Sequence, residues 1–163
     1  MMRSTLLLLF GALTLLAQAP LERVSFLMGE WVTDTDTELG HATALSSFAP
    51  ELDRQILTRR GSTSYTSGRN AGQRHDDLLI VYPEGASGGM KAIYFDAEGH
   101  VIHYIVTTPE PNTAVFDSDP AESGPRYRLT HKVTGRKMET KFEVAAPGQT
   151  AYHTYVSGVS TRK

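Results

Sequence analysis

The clearest order in the chain is an alternation of apolar and polar positions through residues 125–145. Tyr127, Leu129, His131 and Val133 alternate with Arg126, Arg128, Thr130 and Lys132. Beyond Thr134-Gly135, Met138, Thr140, Phe142 and Val144 alternate with Lys137, Glu139, Lys141 and Glu143. A period of two puts successive side chains on opposite faces of a strand. The stretch therefore predicts a hairpin with one face inside and a charged face in water, whose opposed charges can pair across the strands. Similar short runs, cut by Gly, Pro, Asn and Asp, predict strands at 29–37, 41–49, 54–64, 75–82, 89–96, 100–108, 112–117, 125–134, 136–145 and 151–160. Spacing of this kind marks an all-β sandwich or barrel.

Helical spacing occurs once after the N-terminal segment, over Pro20–Met28. There Leu21, Val24 and Met28 repeat at three- and four-residue steps, with Pro20 at a first-turn position and Gly29 at the stop. No second helix is long enough for a parallel crossover, so the sheet is expected to be antiparallel. Asp96-Ala97-Glu98-Gly99 reads as a type I turn with a bulge at Gly99. Tyr65–Arg74 and Asp117–Pro125 read as long loops, the first as a plain loop rather than a lid. A meander of eight to ten strands must deal with its edges, and closure into a barrel removes them. Inward Tyr127, His131 and Thr140 need polar partners, which favours a cavity over a filled interior.

The first nineteen residues have a different pattern. Met1-Met2-Arg3 gives a positive start, Leu6–Leu16 is nearly continuous apolar chain, and Ala17-Gln18-Ala19 supplies small residues before Pro20. That is the three-part pattern of a secretory signal peptide, and the apolar run is short for a membrane anchor. Residues 1–19 are thus expected to be a signal and 20–163 one domain, without stable membrane insertion after cleavage. There is no cysteine among the 163 residues, which excludes a disulfide, a thiolate metal site and a cysteine nucleophile. An exported chain without cysteine fits a bacterial periplasmic or secreted protein. The formal charge of -2 argues against nucleic acid as a partner.

Candidate chemistry is sparse. Asp96-x-Glu98-x-His100-x-x-His103 resembles a metal cluster, but His100 and His103 stand three apart on one strand and point to opposite faces. His75-Asp76-Asp77 is read as a polar strand entry, because adjacent residues diverge. No metal is therefore expected. His103 shares a face with Val101 and Ile105, and His131 with Leu129 and Val133, so both are expected inside. Tyr94 shares a face with Met90 and Ala92 and could offer a pocket hydroxyl. No Gly-x-Ser-x-Gly elbow, phosphate loop or dinucleotide fingerprint occurs.

Phe26-Leu27-Met28-Gly29-Glu30-Trp31 resembles the opening of lipocalin-like (calycin) barrels, in which a short helix runs into Gly-x-Trp and the Trp packs over the closed end. The segments 74–79, 92–104, 125–130 and 142–148 resemble an uncharacterised group of exported bacterial proteins of that superfamily. A more distant likeness is to nitrobindin, a ten-stranded barrel that binds haem through a histidine on its last strand. His153 lies in the matching region, although the first strand lacks the glycine-rich pattern found there.

The expected fold is thus an all-β, antiparallel, lipocalin-like barrel of eight to ten strands with a short N-terminal helix. The expected function is non-catalytic binding of a small hydrophobic or amphipathic molecule in the barrel. Trp31, Tyr94, His103, Tyr127, His131, Met138 and Phe142 would line the site, with apolar walls supplying affinity and polar groups orientation. No cofactor is expected on this reading. The alternatives are haem held by His153 and an enzyme using a His/Tyr acid–base pair in the cavity.

Overall fold

The computed structural model describes residues 21–85, 88–119 and 124–163. The expected signal segment, Pro20 and the tip of the 117–125 loop lie outside them. Ten strands follow one another: β1 (Gly29–Thr37), β2 (Gly40–Glu51), β3 (Ile56–Tyr65), β4 (Arg74–Glu84), β5 (Gly89–Asp96), β6 (Val101–Thr107), β7 (Thr113–Ser118), β8 (Arg126–Thr134), β9 (Lys137–Ala145) and β10 (His153–Arg162). Each pairs antiparallel with its sequence neighbours, and β10 returns to β1, so the barrel is closed. This is the all-β antiparallel barrel that the alternation predicts. Its architecture is consistent with a calycin-like fold.

The registers show why the pattern worked. Across β8 and β9, Leu129 faces Phe142, His131 faces Thr140 and Val133 faces Met138, all on the inner side. On the outer side Arg128 stands opposite Glu143 and Lys132 opposite Glu139. At the β5–β6 turn Gly99 adopts a φ of 92°, and its N–H donates to the Asp96 carbonyl at 3.1 Å, the expected turn chemistry.

Two expectations need correction. Among the described residues no continuous helix spans 21–28. Leu21 and Glu22 are helical, Arg23 and Val24 form a turn, and a 3₁₀ turn follows at Ser25–Leu27. It buries Leu21, Val24 and Leu27 while Met28 is only half-buried. Packing three apolar side chains over the barrel end needs only a turn, and isolated short helices gain little from their own hydrogen bonds. The second correction concerns β6. Ile102, Tyr104 and Val106 face inward, opposite Tyr94, Ala92 and Met90, and Val101, His103 and Ile105 face solvent. Both faces of this strand are apolar, so alternation alone could not choose between them. The register fixed by β5 does, and it places Tyr104 edge-on against Phe116 in the core.

The barrel has a closed end and a mouth. The closed half is packed with Trp31, Phe48, Leu57, Leu79, Met90, Tyr104, Phe116 and Met138, each at most 2% exposed. Each such side chain contributes about 1.5–3 kcal/mol by leaving water. Toward the mouth many inward positions become small or polar and half-buried, among them Thr35, Ala44, Gly61 and Thr63. The seam follows the same division. β1 and β10 share the register pairs Trp31↔Arg162 and Val32↔Thr161 at the closed end. Nearer the mouth they are linked by Thr33 Oγ1 and Ser160 Oγ at 2.7 Å.

The 66–73 loop forms a fixed part of the rim. Thr66 N–H donates to the His41 carbonyl and Asn70 N–H to the Leu39 carbonyl, at 2.9 and 3.0 Å. Gly40 is required beneath it, since a Cβ there would meet the Ser67 carbonyl oxygen at 1.8 Å. Among the described residues no helix is long and apolar enough to cross a membrane.

Candidate functional site

The wall formed by β3, β4 and β5 carries polar side chains on its inner face, above the packed half of the barrel. Cross-strand pairing sets them in rows. Gly61 of β3 faces Asp77 of β4, which faces Asp96 of β5. One step toward the floor, Arg59 faces Leu79, which faces Tyr94. One step toward the rim, Thr63 faces His75. His75 and Asp77 are two apart and so share the inner face with Leu79 and Val81.

These groups form a connected network. Arg59 Nη2 donates to Asp77 Oδ2 at 2.7 Å, with the two side chains 13% and 5% exposed. His75 Nε2 lies 3.0 Å from the Tyr94 hydroxyl and 3.9 Å from Asp77 Oδ2. Its other ring nitrogen, Nδ1, lies 2.9 Å from Glu98 Oε2 on the β5–β6 turn. Asp96 accepts the His100 backbone N–H on Oδ1 and contacts His100 Nδ1 through Oδ2, both at 2.8 Å. The turn itself is held against β4 by Ala97 N–H donating to the Asp76 carbonyl at 3.0 Å. Two buried atoms of the network, Arg59 Nε and Asp77 Oδ1, have no hydrogen-bond partner among the described residues. A buried polar atom left unpaired costs free energy, so each is a place where a bound group would be stabilised.

The electrostatics restrict what these groups can do. Burial, reinforced by the carboxylates of Asp77 and Asp96, pushes the Tyr94 hydroxyl well above the ordinary phenol range. It stays neutral and can both donate and accept, which suits orienting a ligand rather than abstracting a proton. Burial also raises the Asp96 carboxyl, but the hydrogen bonds from His100 outweigh it, so Asp96 lies below its usual value and is ionised.

The residues singled out in the sequence divide into three groups. Tyr94, Tyr127 and Phe142 face inward at the level of the polar wall, and Phe142 stacks on Tyr127 with centroids 5.8 Å apart. Trp31, Met138 and His131 are inside but belong to the packed half. Trp31 Nε1 donates to the Leu27 carbonyl at 2.7 Å, and the Arg162 guanidinium lies 4.5 Å over its ring. His131 is 2% exposed, edge-on to both Phe48 and Phe116, with Nδ1 3.0 Å from Thr140 Oγ1.

His103 and His153 form the third group, since both are exposed. For His103 the cause is the β6 register described above. His153 begins β10 opposite Val144, next to a register shift between Thr154 and Val156. Val144 shares the inner face of β9 with Phe142, so the pairing sets His153 on that face at the rim, where its side chain is exposed.

Arg59, His75, Asp77, Asp96 and Glu98 were not among the expected site residues. A signal for two of them was present. Leu79 and Val81 mark the inner face of β4, and His75 and Asp77 continue that face with period two. The link to Asp96 and Glu98 depends on strand pairing, which the pattern of one strand does not contain. Neither a model of a known protein family nor a curated protein sequence matches this chain.

Proposed function

We propose that the protein binds a small, partly apolar molecule in the mouth half of the barrel, without transforming it. The observation that carries this reading is the pair of buried atoms, Arg59 Nε and Asp77 Oδ1, that have no partner among the described residues, on a wall that also carries the half-buried His75 and Tyr94. A ligand with a polar group carrying both an acceptor and a donor would satisfy both atoms. Tyr94 and His75 would hold the same end, and Tyr127 and Phe142 would cover the apolar remainder. Binding sites of this kind draw affinity from apolar walls and orientation from a few polar groups. Trp31, Met138 and His131 act from below as a rigid floor, and His103 has no part in it.

Native mass spectrometry of the protein purified from its own host, compared with its denatured mass, tests the proposal. The expected result is an added mass of lipid or metabolite size. Ala44→Trp, which adds bulk on the inner face of the mouth half, should remove it without lowering the unfolding temperature. Equal native and denatured masses, together with no saturable binding of an apolar fluorescent dye, would identify a filled barrel and overturn the proposal.

A further inference from the structure

The mouth wall has too many carboxylates for its cations. Asp77 and Asp96 are directly opposed across β4 and β5, and each side chain is only 5% exposed. Like charges in directly opposed positions repel, and burial removes the water that would screen them. Glu98 adds a third carboxylate at the edge of the same group. Arg59 is the permanent cation among them, and it engages Asp77 Oδ2, leaving Oδ1 buried without a partner among the described residues. A cation is what this arrangement lacks.

Metal-binding geometry is present beside it. One ligand atom each from His75, Asp96 and Glu98 all lie within 4.8 Å of one another. We propose that His75, Asp96 and Glu98 form a binding site for a divalent transition metal of the zinc class. This goes beyond ligand binding in the barrel and does not depend on it. With its proton on Nε2, His75 donates to the Tyr94 hydroxyl and presents Nδ1 to the metal, in place of the proton now shared with Glu98 Oε2. Metal-bound histidines regularly donate their second nitrogen in this way, which fixes tautomer and ring orientation. Asp96 is oriented likewise by the His100 backbone N–H on Oδ1. An imidazole with two carboxylates suits zinc or manganese, whereas calcium requires six or more oxygens. Glu98 is 45% and His75 35% exposed on the side chain, so the metal would keep an open position toward the mouth.

The sequence pattern placed no metal here because it compared residues along one strand. Asp96, Glu98, His100 and His103 cannot converge by themselves. His75 supplies the missing ligand from the neighbouring strand.

The test is a zinc titration of the chelator-treated full chain by calorimetry, with cobalt in parallel for its visible absorption. The expected result is saturable binding of a single equivalent, and a cobalt spectrum of four- or five-coordinate type. Glu98→Gln, at a partly exposed turn, should weaken zinc at least about tenfold, and His75→Phe should abolish binding. Tyr94→Phe, which touches the other ring nitrogen, should weaken it less. His41 on the outer wall contacts Asp34 and Asp36, each at 2.9 Å, and is the rival site. His41→Ala should leave the titration unchanged. Absence of saturable binding, or binding that survives Glu98→Gln and falls with His41→Ala, would overturn the proposal. If His75→Phe fails to fold, Glu98→Gln and His41→Ala still decide between the two sites.

Discussion

The carboxylate of Asp77 lies against the backbone of Gly61, so close that a Cβ at residue 61 would stand 2.4 Å from Oδ2 and 2.7 Å from Oδ1. Asp77 cannot swing away cheaply, because its side chain is buried and Oδ2 holds the Arg59 guanidinium. Gly61→Ala should therefore force the pair apart and destabilise the barrel by about 2 kcal/mol, the usual scale of overpacking. Asp77→Ala alone should also destabilise, by stranding Arg59. Combining the two changes should cost clearly less than their sum, because Asp77→Ala removes the carboxylate that the new Cβ at residue 61 would meet. Denaturant unfolding of the four proteins measures this, and strict additivity would show that the two residues do not touch.

A second consequence concerns pH. Burial, with a smaller contribution from Arg59, pushes the His131 imidazole down to about 3. In the unfolded chain it titrates near about 6.5. Between these values the unfolded state binds more protons, so stability falls as pH drops from about 6.5 toward 3, by up to about 1.4 kcal/mol for each pH unit. His131→Leu removes the titrating group and its Nε2, which has no partner among the described residues, and should flatten the dependence between pH 7 and 5. Unfolding temperatures across that range provide the comparison, and an equally steep fall in the variant would assign the dependence elsewhere. The histidines should also separate by NMR titration. His41, raised mainly by its hydrogen bond with Asp36, titrates above its ordinary value. His131 stays neutral to pH 5.

These residues also show what could be read in advance. The strands at 29–37 and 89–96 coincide with β1 and β5, because a half-buried strand imposes its period on the sequence. The inward placement of Tyr94, Tyr127 and Phe142 followed from the same alternation. It failed on β6, where Val101 and Ile105 are 54% and 45% exposed although they are as apolar as the residues that replaced them inside. It also failed to assemble the polar wall. His75 and Glu98 lie 23 positions apart, and only the β4–β5 register brings their side chains to 2.9 Å. Alternation specifies faces, whereas a site is a set of neighbours.

The β2–β3 turn stores strain that can be removed. Leu52, Asp53 and Arg54 have φ values of 51°, 53° and 64°, three consecutive left-handed residues of which none is glycine. The left-handed region costs an L-residue about 1–2 kcal/mol, whereas glycine enters it freely. Leu52 is 69% exposed, so its side chain contributes little packing in return. Leu52→Gly should raise stability by about 0.5–1 kcal/mol after the added freedom of the unfolded glycine is subtracted. For a domain of this size that is about 2–3 °C in unfolding temperature. A fall would mean that the Leu52 side chain carries contacts outweighing the strain.

At the closed end, Arg162 joins the last strand to the first. Its guanidinium lies 4.5 Å over the Trp31 ring, and Nη2 donates to the Phe26 carbonyl at 2.8 Å. One side chain thus ties β10, β1 and the 3₁₀ turn together where the β1–β10 ladder is short. A desolvated cation–π contact and a charged hydrogen bond are each worth about 1.5–2 kcal/mol. Arg162→Met, which keeps the apolar stem, should lower the denaturant midpoint by an amount equivalent to about 2–3 kcal/mol, with little change in slope. Arg162→Lys should recover little of that loss. An ammonium lacks the flat face that stacks on an indole and the forked donors that reach the Phe26 carbonyl at the same time. Trp31 is the single tryptophan and supplies the fluorescence signal for both measurements. Full recovery by lysine would show that charge alone holds this end closed.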